Sequence, residues 1–392
     1  MSYIFLLWLA IILFSTKVCG LCVRKIHLPE VVGYLLAGVL LGPSLLGCIV
    51  IDDATPTGEF LEFTAELGVV FLMFSAGLTT DMDQMKRNLK ASMVTAIIGV
   101  LVPLVLGTLS FGLFFGIDPA DSTAMLEAVF VGVILTATSV SITVQTLKEM
   151  GKLSGDVGTT ILGAAVIDDI LGIIVLTIVT SMRDTTARPV EVGGKIVLYA
   201  VLIGILYFVI HRMEPMIAKN DHKRRAGLFG LSFCMLMAFV SEYFFGIADI
   251  TGAYFAGLIL CSSKLRDYID LKIENLLNMF FMAVFFSSIG IKVSIGHMST
   301  QMWLFAVVLV VVAILSKMLG CGFGAKCCGF NGKDSLRIGV GMISRGEVAL
   351  IVAEKGRQIS LVSEEMFAPI VVVVIITTLL TPVLLKMVFE GD

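Results

Sequence analysis

Runs of about 20 apolar residues follow one another almost from end to end of this chain, parted by short polar turns. That pattern leaves few folds open. A hydrocarbon layer about 30 Å thick needs about 20 helical residues to cross it, and within it every backbone N–H and C=O must find its partner inside the chain. Helices packed side by side in a bilayer meet both demands. Composition agrees, with 57% hydrophobic and 15% charged residues against about 25% charged in a soluble domain. The expected fold class is therefore all-α integral membrane, with residues 1–392 as a single membrane domain, the lipid bilayer as its solvent, and no cytosolic regulatory domain. A net charge of −3 offers no field for nucleic acid. The N-terminal run lacks a basic flank and a small-x-small cleavage site, so it is expected to stay as a helix.

About 13 transmembrane helices can be drawn, at about 3–22, 29–47, 59–79, 91–116, 125–147, 157–181, 193–211, 226–243, 247–262, 272–292, 302–325, 334–354 and 364–388. Lysine and arginine alternate with them. One set of loops carries Arg24, Lys25, Lys86, Arg87, Lys90, Lys148, Lys152, Arg212, Lys219, Lys223, Arg224, Arg225, Lys264, Arg266, Lys272, Lys326, Lys333 and Arg337. The other carries only Arg183, Arg188, Lys195, Lys292, Lys355 and Arg357. Positive loops stay in the cytoplasm, which predicts a multi-pass protein of the cytoplasmic membrane with its N-terminus outside and its C-terminus inside.

The chain also echoes itself. Gly33-Tyr-Leu-Leu-Ala-Gly-Val-Leu-Leu41 in the second span is matched by Gly252-Ala-Tyr-Phe-Ala-Gly-Leu-Ile-Leu260 in the ninth, and Phe74-Ser-Ala-Gly-Leu78 in the third by Ser287-Ser-Ile-Gly-Ile291 in the tenth. Both echoes are seven spans apart. An odd offset means opposite insertion, so the halves form inverted-topology repeats, with a transport site expected near the midplane between them. The competing reading is that membrane helices rich in small residues resemble one another because small residues let them pack closely.

Charge inside a span is rare, and here it clusters. Asp168 and Asp169 lie close to the middle of the sixth span, where each charged residue costs about 2.5–3.5 kcal/mol to insert. Consecutive helical residues point about 100° apart, so the two carboxylates face different neighbours. The one lysine near the middle of a span is Lys317 in the eleventh, taken from the repeat as the counterpart of the aspartate helix. Buried alone it would lose its proton, and a carboxylate nearby would restore it. It is expected to be a proton-coupled partner, with a static pair fastening two helices as the alternative.

The fifth span crowds Thr136, Thr138, Ser139, Ser141 and Thr143 into an apolar helix, and the twelfth, its repeat partner, reads Gly341-Met-Ile-Ser-Arg-Gly-Glu-Val348. Hydroxyls and glycines at matched places predict two discontinuous crossing helices whose opposed dipole ends meet at the midplane. Arg345 and Glu347 are expected to brace the break as an ion pair. The eight cysteines, including Cys19 and Cys22 at redox spacing and Cys321, Cys327 and Cys328, are read as packing residues, since no histidine stands near enough to complete a zinc site. His27, His211, His222 and His297 all fall near span ends.

Taken together, Pro29 to Pro43, Glu66-Leu-Gly-Val, Thr136-Ala-Thr-Ser-Val140, Val166-Ile-Asp-Asp-Ile170, Lys317 and Ser344-Arg-Gly-Glu-Val348 resemble the monovalent cation:proton antiporter-2 family, in its order, from about residue 29 to about 355. The resemblance implies the Na+/H+ antiporter fold working as a homodimer. It implies core helices at about 91–181 and 302–388 minus the last helix, which move like an elevator against dimerisation helices at about 1–47 and 193–262. It also implies that Asp169 binds the cation or the proton, that Asp168 partners Lys317, and that Thr138, with Thr136 and Ser139 beside it, belongs to the ion site. A double aspartate resembles the electrogenic branch, two protons per cation, where electroneutral relatives usually carry Asn first. Potassium-efflux members commonly continue into a nucleotide-binding domain, which this sequence is not expected to have.

The function so implied is secondary antiport of a monovalent cation, Na+ first and Li+ or K+ as alternatives, against protons, with no enzyme activity and no cofactor. A sodium-coupled organic-anion symporter of the same fold is the nearer rival. An intramembrane aspartyl protease would need its two aspartates on different helices, and a channel would need neither an inverted repeat nor a buried lysine.

Overall fold

A computed structural model describes the chain apart from residues 1–2, 26–29, 44, 50–54, 119–120, 183–188, 220–222, 264–265, 293–297 and 391–392. His27, His222, His297, Arg183, Arg188 and Lys264 therefore lie outside the described residues.

In chain order the helices are α1 (Ile4–Lys25), α2 (Glu30–Leu41), α3 (Pro56–Thr79), α4 (Met82–Phe115), α5 (Ser122–Thr136), α6 (Val140–Glu149), α7 (Asp156–Ser181), α8 (Pro189–Lys219), α9 (Lys223–Val240), α10 (Asp249–Leu260), α11 (Arg266–Leu276), α12 (Met282–Ile291), α13 (Thr300–Cys327), α14 (Gly332–Gly341), α15 (Glu347–Gln358) and α16 (Glu364–Phe389). One π-helical turn, Ser241–Phe245, prolongs α9, and another, Leu277–Phe281, joins α11 to α12. Ten helical stretches among the described residues are long and apolar enough to cross a membrane, α2 and α10 are shorter apolar helices, and α14 with α15 completes the thirteen expected crossings.

Local chemistry sets the ends. Thr55 Oγ1 accepts the Gly58 N–H at 3.2 Å, with Pro56 in the first turn of α3. Asp121 caps α5 through the Thr123 and Ala124 N–H groups at 3.0 and 3.3 Å. At the start of α4, outside the spans, the Gln84 and Asp83 N–H groups hold the Asp81 carboxyl below the usual carboxylate range. Gly116, at φ +64°, ends α4 in the left-handed conformation that glycine adopts without a Cβ penalty.

The echoed segments become two equivalent crossings. A Cβ on Gly77 of α3 would stand 3.0 Å from Gly257 Cα of α10, and one on Gly38 of α2 would stand 2.9 Å from Gly290 Cα of α12. In the repeat Gly38 corresponds to Gly257 and Gly77 to Gly290, so each crossing is the image of the other. Backbones approach this closely only where both helices present glycine. The same seven-span offset pairs α4 with α13 and α7 with α16, which corrects one expectation: the Lys317 helix is the counterpart of α4, not of the aspartate helix.

Packing gathers the helices into two groups. α4 lies against α13, α7 and α5, while α13 lies against α14 and α16, and α16 also touches α15 and α6. The second group joins α1, α2 and α12, α3 and α10, and α9 with α11. The groups meet where α7 passes α8 and where α6 and α16 reach α2. At that junction Lys148 of α6 donates to Ser75 Oγ of α3 at 3.0 Å and pairs with Glu274 of α11 at 3.2 Å, while Glu149 accepts the Glu30 N–H of α2 at 2.6 Å.

Candidate functional site

The site is built where two helices break. α5 stops at Thr136 and α6 starts at Val140; α14 stops at Gly341 and α15 starts at Glu347. Freed backbone groups must be paired inside the protein, and here the two breaks pair each other. The Ser139 N–H donates to Ser344 O at 2.8 Å, Ser344 Oγ donates to Ser139 O at 2.6 Å, and Thr143 Oγ1 donates to Gly341 O at 2.7 Å. A Cβ on Gly346 would stand 2.6 Å from Ser139 Oγ, so glycine lets the strands of the crossing touch.

Arg345 is 1% exposed and serves the backbone. Its Nη2 donates to Leu135 O at 2.8 Å, at the C-terminal end of α5, and to Ala313 O of α13 at 3.1 Å, while Nη1 donates to Ile343 O. A buried cation at a helix C-terminus offsets the partial negative charge of the unpaired carbonyls. Thr377 and Thr378 of α16 hold its backbone, the first accepting from the Arg345 N–H at 3.2 Å and the second donating to its carbonyl. Bracing of the break thus runs through carbonyls. The Glu347 side chain, expected as the other half of an ion pair, lies outside the described residues.

Beside the crossing stands the charged pair. Lys317 Nζ of α13 lies 2.8 Å from Asp168 Oδ1 of α7, with side chains 0% and 1% exposed. Next to the pair, Gly99 of α4 makes room for Cys321 of α13, because a Cβ there would run into Cys321 Sγ. Thr138 is buried with its hydroxyl on the Asp168 carboxyl. Asp169, one residue on and about 100° round the helix, is half-buried and looks the other way, toward α10 of the second group.

The remaining expected hydroxyls are held locally. Thr136 Oγ1 donates to Val133 O at 2.7 Å, and Ser139 Oγ stands 3.2 Å from Ser141 Oγ. Sequence reading missed Ser344, Thr377, Thr378 and Thr251; paired threonines in the apolar last span were a visible signal for two of them. Of the cysteines, Cys234, Cys261 and Cys321 are buried and Cys22, Cys48 and Cys327 exposed. Among the described residues no three His, Cys, Asp or Glu side chains gather as a metal centre would need.

Residues 10–391 match the family described as "Sodium/hydrogen exchanger, transmembrane". The sequence is 38% identical to the Na(+)/H(+)-K(+) antiporter GerN of Bacillus cereus over 99% of this chain and 97% of that protein. It is 35% identical to a Na(+)/H(+) antiporter of Enterococcus hirae, over 96% of each. In fold it is similar to the sodium proton antiporter MjNhaP1 from Methanocaldococcus jannaschii, with a TM-score of 0.74 at 18% identity, covering 100% of this chain and 97% of the other.

Proposed function

Because the chain belongs to the sodium/hydrogen exchanger family of transmembrane proteins, we propose that it exchanges a monovalent cation for protons at Asp169, with Na+ as the preferred cation. The observation that carries this reading is the division of labour within the aspartate pair. Asp168 is committed to Lys317 at 2.8 Å in a fully buried contact, while its neighbour is half-buried and faces the boundary between the two helix groups. A carboxylate can hold a dehydrated cation or a proton, and the cation needs it ionised. Competition for that one group couples the two fluxes.

The helix grouping supports a moving body of α4–α7 and α13–α16 against a stationary body of α1–α3 and α8–α12. We place α16 with the moving body, because its threonines hold Arg345 at the crossing. The stationary body would form the homodimer contact. Alternating exposure of Asp169 then follows an elevator-like displacement, and release of a proton from Lys317 as the Asp168 carboxylate is drawn elsewhere within the moving body would make the exchange electrogenic, with two protons per cation. Loop charges put the N-terminus outside and the C-terminus in the cytoplasm.

Proteoliposomes with an imposed pH gradient test the core of this. Addition of Na+ should move protons in the wild-type protein, and Asp169→Ala should abolish that movement while keeping the protein folded. Undiminished exchange in Asp169→Ala would overturn the assignment.

A further inference from the structure

Across the boundary between the two helix groups, a hydroxyl faces the outward-looking aspartate. Thr251 occupies the first turn of α10 and is 1% exposed, and its Oγ1 stands 3.5 Å from Asp169 Oδ2. Elsewhere in the chain, membrane threonines such as Thr64, Thr108, Thr146 and Thr177 turn their hydroxyls back onto the carbonyl four residues earlier. A threonine in a first turn has no preceding helical turn to receive it, so this hydroxyl points across to α7 instead. Asp249, in the same turn, accepts the Ile250 N–H at 2.7 Å and so serves the end of its own helix.

The separation itself carries chemical meaning. Hydrogen bonds between two oxygens prefer about 2.5–3.0 Å, and 3.5 Å is long for a hydroxyl donating to a carboxylate. It suits two oxygens that share one cation. A cation of the size of Ca2+, which Na+ nearly matches, sits about 2.3–2.6 Å from its oxygen ligands, so ligands at right angles stand about 3.3–3.7 Å from each other.

We propose that Thr251 is an oxygen ligand of the exchanged cation in this conformation, so that the site is completed by a residue of the body opposite the one carrying the carboxylates. The inference rests on Asp169 being the exchange site. Its consequence is an asymmetry. When α7 moves relative to α10, the cation leaves Thr251 behind, and the hydroxyl strengthens binding from only one side of the membrane.

Sided transport measures this directly. Na+-dependent proton movement is followed in right-side-out and inside-out membrane vesicles carrying the wild-type protein, Thr251→Val or Thr251→Ser. Thr251→Val keeps the shape and removes the oxygen. Its apparent KM for Na+ should rise about tenfold at one face, the scale of one lost contact to a charged group, and stay within about twofold at the other. Thr251→Ser should follow the wild type at both faces. A rise of equal size at both faces, as a general packing defect would give, overturns the proposal, and so does no rise at either. Should Thr251→Val transport too slowly for a KM, Na+-induced thermal stabilisation of the purified protein replaces it. The midpoint should move to about tenfold higher Na+, and an unchanged midpoint overturns the proposal. Absence of Na+-driven proton movement in the wild type would instead refute the antiport reading, so the two failures are distinct.

Discussion

Removing the charge of Lys317 tests whether the two members of the buried pair depend on each other for stability. Lys317→Met keeps the length of the side chain and leaves Asp168 facing a hydrocarbon tip. At 2.8 Å two unit charges attract by about 6 kcal/mol for an effective dielectric of about 20. Desolvating both groups offsets most of that, since neither side chain is more than 1% exposed. Loss of one partner removes the attraction while the other group remains buried, and such single replacements cost about 3–5 kcal/mol. For 392 residues at roughly 2.1 cal/mol/K each, the unfolding entropy is about 0.8 kcal/mol/K, so the melting temperature should fall by about 4–6 °C. The double variant Asp168→Asn/Lys317→Met removes both charges and should melt within about 2 °C of the wild type or above it. Thermal melting of the wild type, Lys317→Met, Asp168→Asn and the double variant in one detergent gives the cycle. If Lys317→Met melts within 1 °C of the wild type, or if the double variant falls by the sum of the singles, the two groups do not depend on each other and the coupling reasoning fails.

Two further outcomes follow from the same packing. Arg345→Lys should lower stability by about 2–5 kcal/mol, because an ammonium cannot serve Leu135, Ala313 and Ile343 together and each unpaired carbonyl costs about 1–3 kcal/mol; wild-type melting of that variant would remove Arg345 as the brace of the crossing. Gly257→Ala would set a Cβ 2.7 Å from Leu78 N and should cost about 1–3 kcal/mol, whereas Gly172→Ala, with nothing within 4 Å, should be neutral or slightly stabilising, and equal melting of the two would refute the close-crossing account.

The parts legible in the sequence were those set by the solvent. Hydropathy placed the ten long apolar helices found among the described residues because the bilayer penalises every departure from the pattern. The cost of burying charge singled out Asp168 and Lys317, which the structure brings to 2.8 Å. Where two residues owe their meeting to backbone geometry, the sequence carried little. Arg345 and Glu347 read as a pair from their spacing, and the sequence could not add that the guanidinium goes to Leu135, Ala313 and Ile343, partners that are main-chain atoms and have no letter of their own. Thr251 was equally silent: its neighbour Asp169 lies 82 positions away, and only the packing of α7 near α10 joins them. The repeat was read correctly as a pattern of glycines and misapplied to Lys317, because the offset of seven spans was not carried through to the eleventh.

If exchange takes place at Asp169 as proposed, the charges gathered at the crossing would discriminate between loaded and empty forms. Two helix N-termini and two C-termini meet there, and their partial charges of about +0.5 and −0.5 cancel as a set. Lys317 answers Asp168, and Arg345 answers the exposed carbonyls. On the proposed reading, Asp169 is neutralised whether it carries a proton or a monovalent cation, and the two loaded forms differ only by the proton on Lys317. The ionised and empty carboxylate adds one negative charge to a body that must pass a low-dielectric surface, a penalty of several kcal/mol. Both loaded forms can therefore make the passage with Asp169 neutralised, and the empty form is held back by the same electrostatics that let the two ions compete.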